Sequence, residues 1–468
     1  MIVEHDPGRG SVPERSGGRT CSVRTILTER SSDGARHGVG RPHLPEGATM
    51  TTTPTIDEFR AEVTAFLDAN AERKPESKAF RWGEGDDDVA MFEEVDPETE
   101  QRSLQEAKAW RAKRYDAGLG YISGAAEYGG RELPAAYDRL YTSLEGRYAV
   151  PDQSYFGIGL GMVAPTIKDH AQPHIKARYL PAMYRADLVG CQLFSEPGAG
   201  SDLAGLQARA ERDGDEWVVS GQKVWTSGAQ YSDIGEVICR TDPDLPKHKG
   251  LTGFVVDMHA PGVDVRPLRQ MTGGASFNEV FFNEVRVPDD HRLGEVNQGW
   301  SVALTTLMNE RASIGAGGGG GGMGLADVTR LSQMLRHFGA DDDATLRDGL
   351  MRLYTGFQVA KMTNQRALDK IRSGQLPGPE MSIAKLALTQ NLTGTASFVA
   401  RVLGPRLTAD TGEWGTYAWG KFLCGTPGMR IAGGTDEVLR NIIGERVLGL
   451  PKEPGIDSVS PFKDLLKN

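Results

Sequence analysis

Two short segments carry the residue types best suited to holding a ligand. In CQLFSEPGAGSD (191–202), Gly198 and Gly200 let the backbone approach a bound group closely, and successive N–H groups of such a loop form an anion-binding nest. Ser195 and Ser201 add hydroxyl groups. In QKVWTSGA (222–229), Trp225 stands beside the hydroxyls of Thr226 and Ser227. Each segment alone has an ordinary explanation, since a Pro-Gly loop is commonly a turn and a strand Trp is commonly core. Together they describe a cradle for a planar aromatic cofactor, with hydroxyl and backbone donors and one aromatic ring packed against it.

A third segment, AGGTDEVLRNIIGERVLGLP (432–451), reads as a helix with a Gly-rich entry. Thr435 suits the N-cap, and Asp436 and Glu437 in the first turn complement the helix dipole. Gly433 and Gly434 leave N–H donors just ahead of the cap, a place to stabilise an oxygen that gains negative charge. Val438, Leu439, Ile442, Ile443 and Val447 form its expected buried stripe.

The elements that must position these segments follow from periodicity. Thr55-Ile56-Asp57-Glu58 matches a capping box, and Ile56, Phe59, Val63, Phe66 and Leu67 fall on one helical face. Tyr137, Leu140, Tyr141, Leu144 and Tyr148 repeat that spacing. From Cys191 the texture becomes short, β-branched and aromatic, as in WVVSGQKVW (217–225), GFVVDM (253–258) and FNEVFFNEVRVP (277–288). Asp213-Gly214-Asp215 supplies a hairpin turn, and Pro288-Asp289-Asp290 closes the β region. Helical periodicity returns at Gly299, and the run GAGGGGGGMG (315–324) is expected to break any helix that enters it. The expected organisation is a tail or misplaced start over 1–54, with Met50 a candidate true start, then a helical domain over 55–188. A β domain over 189–297, a helical bundle over 298–452 and a tail over 453–468 complete it.

Composition narrows the function. The 468 residues carry a formal net charge of −10 with no basic stripe, which argues against nucleic acid. No apolar run approaches the roughly 18 residues that span a bilayer. The four cysteines, Cys21, Cys191, Cys239 and Cys424, form no CxxC pair, and the histidines show no metal spacing. A soluble cytoplasmic protein without a metal is expected.

The order SEPGAGSD, KVWTSG, FNEVRVP with a Gly-Trp helix start, and GGTDEVLRNIIGERVLGLP resembles the acyl-CoA dehydrogenase family over roughly residues 55–452. The resemblance implies an α+β multidomain fold: an N-terminal helical domain, a central β barrel-like domain and a C-terminal four-helix bundle. It implies one FAD per subunit of a homo-oligomer (dimer or tetramer), an acyl-CoA substrate, and an electron-transferring flavoprotein as acceptor. By position, Leu193, Phe194 and Ser195 line the flavin, Gly200 and Ser201 belong to the same loop, and Ser201 also lies near the CoA arm. Trp225 packs on the flavin face away from the substrate, with Thr226 and Ser227 at its polar edge. Thr435 and Glu437 touch FAD, while Arg311 and Gly434 fall on the substrate side.

Two departures stand out. Many members carry the catalytic base as a Glu directly before the Gly-Thr, where this chain has Gly433. A minority place it on the first helix of the C-terminal bundle before an arginine, which matches Glu310-Arg311 in LMNERASIG. The expected base is therefore Glu310, with Gly433 contributing only its N–H to the oxyanion contact. The Arg-x-x-Phe-Gly segment, through which many members reach a neighbouring subunit's FAD, is also missing, and LRHFGADDDATLRDGL (335–350) stands near its place. Two other functions fit these residues: a half-catalytic or non-catalytic subunit of a hetero-oligomeric dehydrogenase, and a flavin monooxygenase or oxidase on the same fold.

Overall fold

The chain divides into two units, Met1–Thr52 and Thr53–Asn468. The computed structural model describes residues 53–75, 79–91, 95–315, 328–373, 378–452 and 459–465, and of 311–315 and 371–372 only the backbone. The expectation for the first 49 residues, like most of the glycine run, lies outside the described residues.

The second unit opens with α1 (Ile56–Asn70), whose capping box forms as anticipated: the Glu58 N–H donates to Thr55 Oγ1 at 3.2 Å, and the Thr55 N–H donates to Glu58 Oε2 at 2.7 Å. Phe59, Val63 and Leu67 turn inward, whereas Ile56 is left exposed. A short strand, β1 (Glu72–Arg73), follows, then α2 (Pro97–Asp116) and α3 (Ala135–Glu145). Tyr148 extends the helical spacing of α3 but does not belong to it. Gly146 ends the helix, and Tyr148 lies in β2 (Tyr148–Ala149), paired antiparallel with β1. Two more helices, α4 (Ala164–His170) and α5 (Pro173–Arg185), lead to the sheet.

The sheet is eight-stranded and mixed. β3 (Gly190–Leu193) runs parallel to β6 (Ile234–Arg240), with β4 (Arg209–Asp213), β5 (Glu216–Ser227), β7 (Leu251–Asp257), β8 (Val263–Leu268), β9 (Phe277–Pro288) and β10 (Arg292–Leu293) completing it. Gly214, at φ +64°, makes the anticipated hairpin turn between β4 and β5, where Asp213 faces Glu216. The strands run past the Pro288 turn, because β10 adds itself to β7.

Helices return with α6 (Gly299–Gly315), whose described end is the first glycine of the run, followed by α7 (Val328–His337), α8 (Ala344–Arg372), α9 (Met381–Leu403), α10 (Trp419–Ile431) and α11 (Asp436–Ile442). α9 is central and packs on α6, α8, α10 and α11. Its core holds Leu392, Phe398, Trp419 and Phe422, and also Val89 from the segment between β1 and α2. The order helices, strands, helices is the anticipated α+β order. Among the described residues no helix is long and apolar enough to cross a membrane, and no cluster of His, Cys, Asp or Glu could hold a metal.

Candidate active site

The first group of site residues is built where β3 leaves the sheet. Leu193 and Phe194 are buried in the apolar cores on either side, so their backbone is what they can offer a ligand. Ser195 is half-buried, and its carbonyl accepts the Val224 N–H at 2.8 Å, which ties this loop to β5. Gly200 and Ser201 are exposed on the same loop.

A buried ion pair locks the two segments together. The Lys223 ammonium, fully buried, donates to Glu196 Oε1 at 2.8 Å, to the Phe194 carbonyl at 3.1 Å and to the Ile238 carbonyl at 2.8 Å. The Glu196 carboxylate also accepts the N–H groups of Gln207 and Ala208. Both members are thus surrounded by partners, as a buried charge requires. Both lie inside the segments singled out from sequence.

Directly after Lys223 the register of β5 against β9 shifts. At this irregularity Trp225 takes φ +62°, rare for a bulky residue, and its side chain is 57% exposed. It is not a core tryptophan; its ring makes an edge contact with Phe277 at 6.0 Å. Ser227 is half-buried, whereas Thr226 is buried, paired in register with Asn278. The Thr226 hydroxyl and the Asn278 side-chain carbonyl are buried without a hydrogen-bond partner among the described residues. An exposed indole held in a strained conformation, beside orphaned polar atoms, fits a flat aromatic group such as flavin.

The second group sits in the helical region. Gly433 (φ +65°) and Gly434 (φ +89°) make a left-handed turn between α10 and α11, a conformation that favours glycine at both positions. Thr435 caps α11 as anticipated, its hydroxyl accepting the Val438 N–H at 3.1 Å. Asp436 is buried and Glu437 exposed. The anticipated apolar stripe of α11 is only partly formed: Leu439 is buried, while Val438, Ile442 and Ile443 are half-buried and Val447 exposed, the last two beyond the end of the regular helix.

Lys385 of α9 lies beneath this turn, with its ammonium 2.7 Å from the Gly434 carbonyl. Asp436 accepts from Thr389 at 2.7 Å and from Arg430 at 2.9 Å. Burial opposes ionisation of Asp436, yet these bonds and the Lys385 charge hold its carboxyl below the usual range. Burial lowers Lys385, while the negative charges of Asp436, Glu310 and Glu437 oppose that shift. Glu310 is half-buried on α6, which packs on α9. Of Arg311 the structure describes only the backbone.

Helix α6 joins the two groups. It packs on β6 and β7 as well as on α9. One turn before Glu310, the Thr306 hydroxyl donates to Glu236 Oε1 at 2.6 Å, and Thr306 also meets the Thr166 hydroxyl at 2.8 Å. Glu236 is fully buried, and burial pushes its carboxyl up to about 8. Sequence reading missed Glu236, Lys385 and Lys223, because an isolated charged residue gives no sign of being buried.

Comparison with known proteins agrees with this layout. Residues 191–285 match the acyl-CoA dehydrogenase middle domain, and residues 297–448 match the acyl-CoA dehydrogenase C-terminal domain. The acyl-CoA dehydrogenase IpdE1 of Mycobacterium tuberculosis is 35% identical over 400 residues, which cover 85% of this chain and 98% of that protein. The acyl-CoA dehydrogenase FadE34 of the same organism is 39% identical over 339 residues, 72% of this chain; the match spans only 45% of that longer protein. Among solved structures, the Tcur3481-Tcur3483 steroid ACAD aligns with a TM-score of 0.65 at 26% identity, covering 85% of this chain and 98% of that one. The ChsE4-ChsE5 complex from Mycobacterium tuberculosis aligns with a TM-score of 0.60 at 27% identity, covering 86% of this chain and 100% of that one. The chain belongs to the acyl-CoA dehydrogenase family.

Proposed function

We propose that this chain desaturates an acyl-CoA thioester between its α and β carbons, using bound FAD. The observation that carries the proposal is the setting of Glu310, half-buried on α6, which packs on α9, whose Lys385 ammonium stands 2.7 Å from the Gly434 carbonyl of the glycine turn. Glycine occupies the position of the family's usual base, and Glu310 is the carboxylate that replaces it.

Ser195 and Ser227, with the backbone of Leu193, Phe194 and Gly200, would hold the ring system of FAD, and the exposed Trp225 would pack against it. Thr226, turned inward, acts through its backbone. Thr435 and Glu437 contact the cofactor after the turn. Ser201, Arg311 and Gly434 receive the CoA thioester. The Gly433 N–H, which donates to no other described residue, bonds the thioester oxygen as negative charge grows there. The Glu310 carboxylate removes the α-proton. Flavin bound in this cradle would supply the acceptor for the β-hydride.

An electron-transferring flavoprotein is the acceptor we assign, and the cytoplasm the compartment; Cys191, Cys239 and Cys424 are free thiols. A homo-oligomer is the simplest assembly. A second acyl-CoA dehydrogenase-like subunit is the other reading, favoured by the solved ChsE4-ChsE5 complex and by the longer curated relative, of which the match spans 45%.

The test is to purify the protein, record its spectrum and add acyl-CoAs anaerobically, including linear, branched and steroid-type thioesters. A yellow protein bleached by at least one of them is expected. A colourless protein that takes up no added FAD contradicts the proposal, and peroxide formation at the turnover rate moves it to an oxidase.

A further inference from the structure

We infer that Lys385 is a positioning residue for the proposed dehydrogenation, acting through the Gly434 carbonyl on the glycine turn that meets the thioester oxygen. The inference rests on the reading of Glu310 as base. Lys385 is 6% exposed, and its ammonium stands 2.7 Å from the Gly434 carbonyl and 3.5 Å from the Arg430 carbonyl. Both glycines of the turn have positive φ, so the turn lacks the stiffness that a side chain gives a backbone. A charged donor bonded to the Gly434 carbonyl fixes how the preceding peptides are aimed. These peptides carry the N–H groups of Gly433 and Gly434, neither of which donates to another described residue.

The same ammonium faces carboxylates from two helices. Asp436 Oδ1 is 3.8 Å away on α11, where Glu437 also lies, and Glu310 comes from α6; Arg430 of α10 is the opposing cation. Asp436 already takes bonds from Thr389 and Arg430, so Lys385 is not its sole partner. α6 also meets Glu236 of β6 through Thr306 and His170 of α4 through Thr305, both shifted by burial toward the neutral form.

The test uses the flavin-loaded enzyme and an acyl-CoA that reduces it. Lys385→Gln keeps an N–H donor for the Gly434 carbonyl and loses the charge; Lys385→Arg keeps the charge; Lys385→Met loses both. The rate of anaerobic flavin reduction is followed. Lys385→Arg should keep the wild-type rate, Lys385→Gln, a neutral donor, should fall a few-fold, and Lys385→Met should fall about tenfold below Gln, the effect of losing the bond that aims the turn. Should Lys385→Met not fold, the Gln and Arg pair decides. Reduction at the wild-type rate in folded, flavin-loaded Lys385→Met, or in Lys385→Gln where Met does not fold, overturns the inference. Glu310→Gln is measured alongside: if it loses reduction while these variants keep the wild-type rate, only the role of Lys385 fails. If Glu310→Gln keeps the wild-type rate, the assignment of the base itself fails.

Discussion

The ammonium of Lys223 stands 2.8 Å from Glu196 Oε1, with no solvent exposure of the lysine, and this contact, together with the Val224–Ser195 backbone bond, joins the loop after β3 to the strand that carries Trp225. Removing one partner strands the other charge in the interior. Lys223→Met should therefore cost about 3–5 kcal/mol of stability. Urea titration of the flavin-free protein measures it, and a loss below about 1 kcal/mol shows that the pair does not hold the two segments. The variant should also lose flavin affinity, since the side-chain tie between its two contact segments is gone and only the Val224–Ser195 backbone bond remains.

Trp225 separates binding from folding. It is exposed and strained, so Trp225→Ala should change the stability of the flavin-free protein by less than about 0.5 kcal/mol. Flavin affinity should fall roughly tenfold, the scale of one aromatic packing contact. Fluorescence titration with FAD reads this, and unchanged affinity removes Trp225 from the site.

Glu236 predicts a pH dependence of stability. Burial raises its folded value from 4.5 to about 8, so between these limits the folded protein holds a proton that the unfolded chain has released. Its stabilising contribution is complete below about 4.5 and falls by up to about 1.4 kcal/mol per pH unit as pH rises to 8. In Glu236→Gln that part of the slope should vanish, leaving stability flatter between pH 5 and 8. Denaturation midpoints at several pH values test it; parallel slopes in variant and wild type contradict it.

The sequence made some of this legible and hid the rest for physical reasons. Thr55 and Glu58, Gly214, and Thr435 act through local rules, and each does in the structure what its neighbours in sequence require. The succession of helices, strands and helices follows from periodicity, which is also local. Tyr148 misled because a helical spacing continues past Gly146, where the backbone has already turned into a strand. Thr226 faces inward because successive residues of a strand point to opposite faces, which separates it from Trp225 and Ser227. Lys223, Glu236 and Lys385 could not be recognised as buried, since burial of a charge depends on partners 27 to 70 positions away.

The central claim is that Glu310 removes the α-proton, and it is tested most directly by anaerobic stopped-flow reduction of the flavin in Glu310→Gln. The amide keeps size and hydrogen bonding but accepts no proton. Flavin binding should remain intact while reduction by acyl-CoA slows by roughly 10² to 10⁴. Adding Gly433→Glu in that background should restore part of the rate, against the strain of a side chain at φ +65°. Reduction at the wild-type rate in Glu310→Gln would contradict the account and move the base to Asp436, Glu437 or a partner subunit.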